Sequence, residues 1–247
     1  MLATTTLPPP SCCGFLAGMS QADLSQDLLA KFIDHTLLKP EASKADIEKL
    51  CREALQHKFY SVCVNGSRVI QARSLVEDSG VKVAAVVGFP LGAMDADAKR
   101  YETEIAIDMG AEEIDLVLNI GRLKERDSKY VLRELRDVVE AADERPVKVI
   151  IETCLLTREE KILACELVVE SGAHFIKTST GFSSGGETID DVKLLREHVG
   201  SKFGVKASGG IRDTAAALAM IEAGATRLGT SAGIAIVTGL SAGGGAY

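Results

Sequence analysis

Short apolar runs alternate with amphipathic stretches from residue 32 almost to the end of the chain. The apolar runs are too short for helices and are rich in β-branched residues, which predicts buried strands. Successive runs begin about 21 to 34 residues apart, the length of one strand-helix unit. The eight predicted strands are 32–34, 60–64, 81–87, 113–118, 147–152, 174–178, 203–207 and 227–230.

The stretches between the strands carry helix start and stop signals. Ser43 and Asp213 are predicted to cap helices, and Thr157 with Glu160 forms a capping box. Glycine ends a helix well because it accepts a left-handed backbone conformation. Five glycines lie between a helical stretch and the next strand: Gly80, Gly110, Gly172, Gly200 and Gly224.

Eight alternations of strand and helix predict a parallel sheet that is covered by helices. We expect a single α/β domain over residues 23–240, a (β/α)8 TIM barrel with an extra N-terminal helix. An open doubly wound sheet is the alternative, but no GxGxxG follows the early strands. We expect residues 1–22 to be a disordered extension, with a targeting remnant as the alternative, and residues 241–247 to be a flexible tail.

Composition narrows the class of protein. The formal net charge of −7 argues against a general surface for nucleic acid or anionic membrane, and no apolar run reaches the ~18 residues of a membrane span. The six cysteines include no CxxC pair, so we expect reduced thiols in a cytoplasmic protein. The four histidines do not converge with other ligand types, and we expect no metal and no cofactor.

Two lysines interrupt neighbouring apolar strands, Lys177 in Phe-Ile-Lys-Thr and Lys206 in Gly-Val-Lys-Ala. Burial of an ammonium is costly, so each lysine is either a salt-bridge partner or part of a site. Two ammonium groups at the same end of neighbouring strands lower each other's pKa, and a neutral amine is nucleophilic. The pair therefore predicts imine chemistry.

Polar residues near the other strand ends extend this candidate site, because parallel barrels carry their functional face there. Asp115 lies in the apolar run Ile-Asp-Leu-Val-Leu, where it either neutralises a lysine or shuttles protons, and we favour the second role. Asp34 either orients another group of the site or caps a helix. The remaining candidates at these ends are Cys63, Asn65, Asn119, Glu152, Thr178, Ser208 and Ser231.

Glycines mark a predicted phosphate site. Gly209 and Gly210 directly follow the seventh strand, and Gly229 with Ser231 marks the end of the eighth. Barrels often bind phosphate in the loops after these two strands, because glycine lets backbone N–H groups approach the anion closely.

Four motifs resemble those of the deoxyribose-phosphate aldolase family: DHTLLKP at 34–40, VGFPLG at 87–92, FIKTSTGF at 175–182 and VKASGGIR at 205–212. The resemblance runs from about Asp34 to Ser231. It implies a metal-free class I aldolase that reversibly cleaves 2-deoxy-D-ribose 5-phosphate to glyceraldehyde 3-phosphate and acetaldehyde. It also implies a small phosphorylated sugar as the substrate and a homo-oligomer such as a homodimer.

The resemblance assigns roles to the candidate residues. It implies that Lys177 forms the imine, that Lys206 lowers the pKa of Lys177, that Asp115 is the acid/base and that Asp34 supports the lysines. The residues that it implies for substrate binding are Thr180, Gly209, Gly210, Gly229 and Ser231.

Two features qualify the resemblance. Some family members have a phosphate-binding lysine where this chain has Phe182, so phosphate affinity here depends more on backbone donors and Arg212. The chain ends in Tyr247, which is either part of a frayed tail or, as in some family members, a group that assists proton transfer.

Two other functions remain open from the residues. A different Schiff-base aldolase or a transaldolase would share the lysine but would use ketone donors. A non-catalytic barrel that binds a phosphorylated ligand would keep the glycines, but it has no reason to bury two lysines and an aspartate.

Overall fold

The computed structural model describes residues 26–239. Eight parallel strands close into a barrel in chain order, and the eighth strand pairs with the first. This closed barrel confirms the predicted (β/α)8 fold and excludes the open sheet. The strands are β1 (Ile33–Leu37), β2 (Ser61–Val64), β3 (Lys82–Val87), β4 (Glu113–Val117), β5 (Val147–Ile150), β6 (Phe175–Lys177), β7 (Gly204–Ser208) and β8 (Arg227–Thr230).

Helices cover the outside of the barrel. They are α1 (Gln26–Ala30), α2 (Lys44–His57), α3 (Val69–Val76), α4 (Ala96–Asp108), α5 (Ile120–Lys124), α6 (Ser128–Ala141), α7 (Arg158–Glu170), α8 (Ile189–Val199), α9 (Thr214–Glu222) and α10 (Gly233–Thr238). The predicted extra N-terminal helix is α1, which precedes β1. Within the described part of the chain, no helix is both long enough and apolar enough to cross a membrane.

The predicted helix ends agree with the structure. The side chain of Ser43 caps α2, and Asp213 caps α9. Thr157 and Glu160 form the predicted capping box of α7. All five predicted helix-ending glycines have positive φ angles, between 78° and 113°. The expected extension over residues 1–22 and the expected tail over residues 241–247 lie outside the described residues.

The first strand differs most from its prediction, since β1 runs from Ile33 to Leu37 and not over 32–34. Three consecutive polar residues between Ile33 and Leu37 hide the strand in the sequence. Asp34 contacts groups inside the barrel, whereas His35 packs against Phe59 and bonds to Glu53 of α2. A strand between two buried layers need not be apolar when its polar groups find partners on both sides.

A buried ion pair fixes the carboxyl end of β4. The side chains of Lys99 in α4 and Glu134 in α6 are fully buried, with Nζ 2.8 Å from Oε2. Lys99 also donates to the carbonyl oxygen of Val117, and Glu134 accepts from the backbone N–H of Asn119. Burial lowers the pKa of Lys99 and raises the pKa of Glu134. The pair ties two helices to the end of the strand that carries Asp115.

Candidate active site

A connected set of charged side chains fills the interior of the barrel, and we call it the polar column. All of its members are buried. They join strands β1, β4, β5, β6, β7 and β8 through ion pairs. The members of the polar column are Asp34, Glu113, Asp115, Lys148, Lys177, Lys206 and Arg227.

The two predicted lysines lie side by side and share one carboxylate oxygen. Lys177 and Lys206 are register partners on β6 and β7. The Nζ atom of Lys177 lies 2.8 Å from Oδ2 of Asp115, and the Nζ atom of Lys206 lies 2.7 Å from the same oxygen. The structure thus brings together the two lysines and the aspartate that the sequence singled out.

Asp34 holds the second lysine from the opposite side. Its Oδ2 lies 2.5 Å from Nζ of Lys206, and its Oδ1 accepts hydrogen bonds from Ser61 and Arg227. Asp34 therefore lies inside the barrel as a partner of Lys206, and the alternative that it caps a helix is wrong.

Three members of the polar column were missed by the sequence analysis. Lys148 lies 2.8 Å from Oδ1 of Asp115 and 2.7 Å from Oε2 of Glu113. Arg227 pairs with Glu113 at 3.1 Å and lies over the ring of Tyr60. The signal was present, because Lys148 interrupts the apolar run Val-Lys-Val as Lys177 interrupts its own. These three residues lie at the amino-terminal ends of β4, β5 and β8, whereas functional residues of a barrel are expected at the carboxyl ends.

The surroundings separate the pKa values of the two lysines. Burial lowers the pKa of Lys177; the Asp115 carboxylate opposes this effect, and the Lys206 ammonium adds to it. Burial would also lower the pKa of Lys206, but the carboxylates of Asp115 and Asp34 outweigh it and raise that pKa above its ordinary value. Burial therefore lowers the pKa of Lys177 more than the Lys206 ammonium does, although the sequence suggested the like charge as the cause.

The charge balance of the polar column also favours a neutral Lys177. Burial would raise the pKa of Asp115, but Lys148, Lys177 and Lys206 outweigh it and hold the pKa well below the usual range. Within residues 26–239 the column has three carboxylates and four cations, one cation too many when every member is ionised. Loss of the proton from Lys177, which contacts a single carboxylate, balances the charge.

The predicted phosphate-binding residues lie around the carboxyl ends of β6, β7 and β8. Gly209 and Gly210 follow β7 with φ angles of 97° and 117°, in the left-handed region that favours glycine. Ser231 follows β8 and is exposed. Gly229 lies inside β8, where a methyl group on its Cα would come within 3.0 Å of the Lys206 side chain. The absence of a side chain at Gly229 therefore makes room for the lysine.

The segment after β6 is held by a carboxylate. The hydroxyl group of Thr180 donates to Glu152, and the backbone N–H of Thr180 lies 3.2 Å from the same carboxylate. Phe182 is partly exposed and packs edge-to-face on Phe89, with 5.2 Å between ring centroids. Phe182 stands where some members of the resembling family have a phosphate-binding lysine. In this chain that position thus belongs to an aromatic pair at the mouth of the barrel.

Other predicted strand-end groups bond within the protein. Asn65 donates to the carbonyl oxygen of Leu38, and Asn119 caps α5. Thr178 donates to the carbonyl oxygen of Ser208, and the Ser208 hydroxyl donates to the carbonyl oxygen of Ser179 in the segment after β6. These residues shape the mouth of the barrel. Tyr247 lies outside the described residues.

A polar cavity of about 510 Å³ opens at the opposite, amino-terminal end of the barrel. Tyr60 and Glu113 line it together with Lys82 and Arg145. The cavity therefore reaches Glu113, at the amino-terminal end of the polar column, and not the paired lysines. Within residues 26–239, no group of histidine, cysteine and acidic side chains is arranged to hold a metal ion.

Comparison with known proteins places the chain in a family. The model of the DeoC/LacD family aldolases matches residues 28–243. The chain belongs to this aldolase family. It is 59% identical over 217 residues to the deoxyribose-phosphate aldolase of Bdellovibrio bacteriovorus, a match that covers 88% of this chain and 99% of that protein. It is 57% identical to the deoxyribose-phosphate aldolase of Thermococcus gammatolerans, over 85% of this chain and 96% of that protein.

Solved structures agree with this family. The tetrameric deoxyribose phosphate aldolase from Aeropyrum pernix superposes with a TM-score of 0.81 at 33% sequence identity, over 87% of this chain and 91% of that chain. In this DeoC/LacD family aldolase, the four motifs of the resemblance lie at the carboxyl ends of β1, β3, β6 and β7. The family resemblance drawn from the sequence is therefore confirmed.

Proposed function

We propose that this aldolase reversibly cleaves 2-deoxy-D-ribose 5-phosphate to glyceraldehyde 3-phosphate and acetaldehyde through an imine on Lys177. One observation carries the proposal: Lys177 and Lys206 share an oxygen of Asp115, while their pKa values are moved in opposite directions. A neutral nucleophile beside a charged proton donor is what imine formation requires.

Imine formation begins at the open-chain aldehyde of the sugar. The neutral amine of Lys177 attacks the aldehyde carbon, and the resulting hydroxyl group leaves as water after it receives a proton. Asp115 and Lys206 relay that proton. Oδ2 of Asp115 lies within hydrogen-bond distance of the Nζ atoms of both Lys177 and Lys206. The product is a cationic imine. It forms in a site whose charges are balanced, because the polar column has an excess of positive charge only while Lys177 is protonated.

Carbon-carbon bond cleavage follows. The cationic imine accepts the electron pair of the bond between C2 and C3 of the sugar, while the C3 hydroxyl gives its proton to the relay of Asp115 and Lys206 and becomes the aldehyde of glyceraldehyde 3-phosphate. The two carbon atoms left on Lys177 form an enamine. A proton added to its terminal carbon restores the imine, and water releases acetaldehyde.

The substrate phosphate binds at the carboxyl ends of β7 and β8. Gly209 and Gly210 offer backbone N–H groups without an obstructing side chain, and Ser231 adds an exposed hydroxyl group. Thr180, which its bonds to Glu152 hold in place, contributes to the substrate site in the segment after β6. Arg212, in the exposed segment after β7, supplies positive charge to the approaching anion.

The test is reduction with borohydride in the presence of acetaldehyde, followed by peptide mass mapping. We expect a covalent two-carbon adduct on Lys177 and on no other lysine. An adduct on Lys206, or none at all, contradicts the assignment. Ketone donors serve as the control, because a transaldolase or another Schiff-base aldolase would be trapped by them and this enzyme would not. A barrel that only binds phosphate would be trapped by neither donor.

We assign Tyr247 the proton transfer at the terminal carbon of the enamine, a role that rests on the family resemblance alone. Removal of Tyr247 is expected to slow proton exchange between acetaldehyde and water by about 10²-fold, with trapping on Lys177 unchanged. Phenylalanine at this position should behave like the deletion, because it lacks the phenol. Exchange at the unaltered rate in both variants excludes Tyr247 from the reaction.

The proposal also includes the oligomeric state of the enzyme and its location in the cell. We assign a homo-oligomer, in agreement with the tetrameric relative from Aeropyrum pernix, and a cytoplasmic location, in agreement with free cysteines at positions 51, 63, 154 and 165. Light scattering of the purified protein measures the assembly, and a monomer contradicts it.

A further inference from the structure

The loop between β6 and α8 folds over the glycine turn that follows β7. The backbone N–H of Glu187 donates to the carbonyl oxygen of Gly209, and a methyl group on Gly186 would overlap that oxygen. A methyl group on Gly210 would lie 3.5 Å from each carboxylate oxygen of Glu187. The Glu187 carboxylate therefore lies directly against the turn formed by Gly209 and Gly210.

This carboxylate has no cationic partner in the described part of the chain. Its Oε2 is buried and accepts no hydrogen bond, and no lysine, arginine or histidine among residues 26–239 forms an ion pair with it. Burial raises the pKa of Glu187 to about 7. An oxygen that is buried without a donor is unfavourable when it carries charge, so the site favours the protonated form.

The other charged groups on the neighbouring elements are engaged or lie in exposed segments. Asp191 pairs with Lys161, Asp213 caps α9, and Glu152 accepts from Thr180. Asp190 of α8 and Arg212 after β7 are exposed. The titration of Glu187 is therefore set by its own burial and by the charge of whatever binds at the glycine turn.

We propose that Glu187 controls the affinity for phosphorylated substrates: its neutral form leaves the turn of Gly209 and Gly210 open to a phosphate, and its ionised form repels the phosphate. The inference rests on the proposed function, which places the substrate phosphate at this turn. Two anions in contact in a partly buried site disfavour each other's charge. Phosphate binding is thus coupled to uptake of a proton by the enzyme.

The coupling has a defined sign. Glu187 is neutral below its pKa, so the KM for 2-deoxyribose 5-phosphate is low at pH 6. Above that pKa the enzyme must bind a proton together with the substrate, and KM rises by up to about tenfold per pH unit. The unphosphorylated sugar, 2-deoxyribose, has nothing to place at the turn, so its KM does not follow this rise. The kcat value is unaffected, because Glu187 is not part of the polar column.

The experiment measures KM for both sugars between pH 6 and pH 8.5 in the unaltered enzyme, in Glu187→Gln and in the control Asp190→Asn. Glutamine keeps the shape of Glu187 and removes its charge, and Asn at position 190 removes one exposed charge from the same segment. We expect Glu187→Gln to lower the KM for the phosphorylated sugar roughly tenfold at pH 8 and to leave it unchanged at pH 6. The KM for 2-deoxyribose should remain the same in all three proteins, and Asp190→Asn should behave like the unaltered enzyme.

Competition by inorganic phosphate gives a second measurement that needs no variant. The inhibition constant of the unaltered enzyme should rise across pH 7, and calorimetry in two buffers should show proton uptake beyond that of phosphate itself. A KM for the phosphorylated sugar that is equal in the unaltered enzyme and in Glu187→Gln at every pH overturns the inference. Absence of cleavage of 2-deoxyribose 5-phosphate by the unaltered enzyme overturns the proposed function instead.

Discussion

Replacement of Lys177 by methionine is expected to lower kcat for cleavage of 2-deoxyribose 5-phosphate by at least about 10⁴-fold, because no other amine among residues 26–239 both lies at the site and has a pKa that burial lowers below its ordinary value. Lys206 cannot take its place, since two carboxylates keep its ammonium charged. The measurement is steady-state cleavage together with borohydride trapping, which should give no adduct.

The same variant should keep its fold. Asp115 retains Lys148 and Lys206 as partners, and the polar column then has three carboxylates and three cations. Methionine fills a similar volume without a charge, so we expect the free energy of unfolding to stay equal or to rise by about 1–2 kcal/mol. Lys161→Met, on the outer helix α7, is the control for loss of a lysine and should retain activity. Cleavage by Lys177→Met at more than a hundredth of the normal rate would exclude Lys177 as the nucleophile.

Replacement of Lys206 by methionine should lower kcat at pH 7 by about 10²-fold or more, and part of this loss should be recovered at higher pH. Two causes act together. The ammonium that lowers the pKa of Lys177 is gone, and Asp115 loses a partner and attracts the proton of Lys177 more strongly. A raised pKa leaves less neutral Lys177 at pH 7. The acid limb of the pH–rate profile should therefore move towards the ordinary lysine value.

Stability should fall in this variant, because Asp34 keeps a buried carboxylate oxygen without the lysine that faced it. The expected loss is about 3–5 kcal/mol in the free energy of unfolding by urea. Lys148→Met is the matched control. It also removes a buried partner of Asp115, but on Oδ1, away from the oxygen that Lys177 and Lys206 share. An acid limb that moves equally in both variants, or in neither, contradicts the specific role of Lys206.

The local signals in the sequence were strong enough to predict the barrel and its helix ends. Ser43, Thr157 and Asp213 cap the helices that they were predicted to cap, because capping depends on residues within three positions. The length of β1 was wrong, since its polar residues find partners that are distant in the chain. Asp34 meets Arg227 across 193 positions, a contact that no local pattern contains.

Lys177, Lys206 and Asp115 could be predicted as a group from the sequence alone. A charged residue inside an apolar strand needs a partner, and the strand order places two of the lysines side by side. Only the tertiary structure decided how the charges are shared. Closure of the barrel adds Lys148, Glu113 and Arg227 to the group and leaves one cation in excess, and burial then moves the pKa of one lysine down while two carboxylates move the other up. The tertiary structure also brings Glu187 against Gly209 and Gly210, more than 20 positions away, because the segments after β6 and β7 meet only once these two strands have paired.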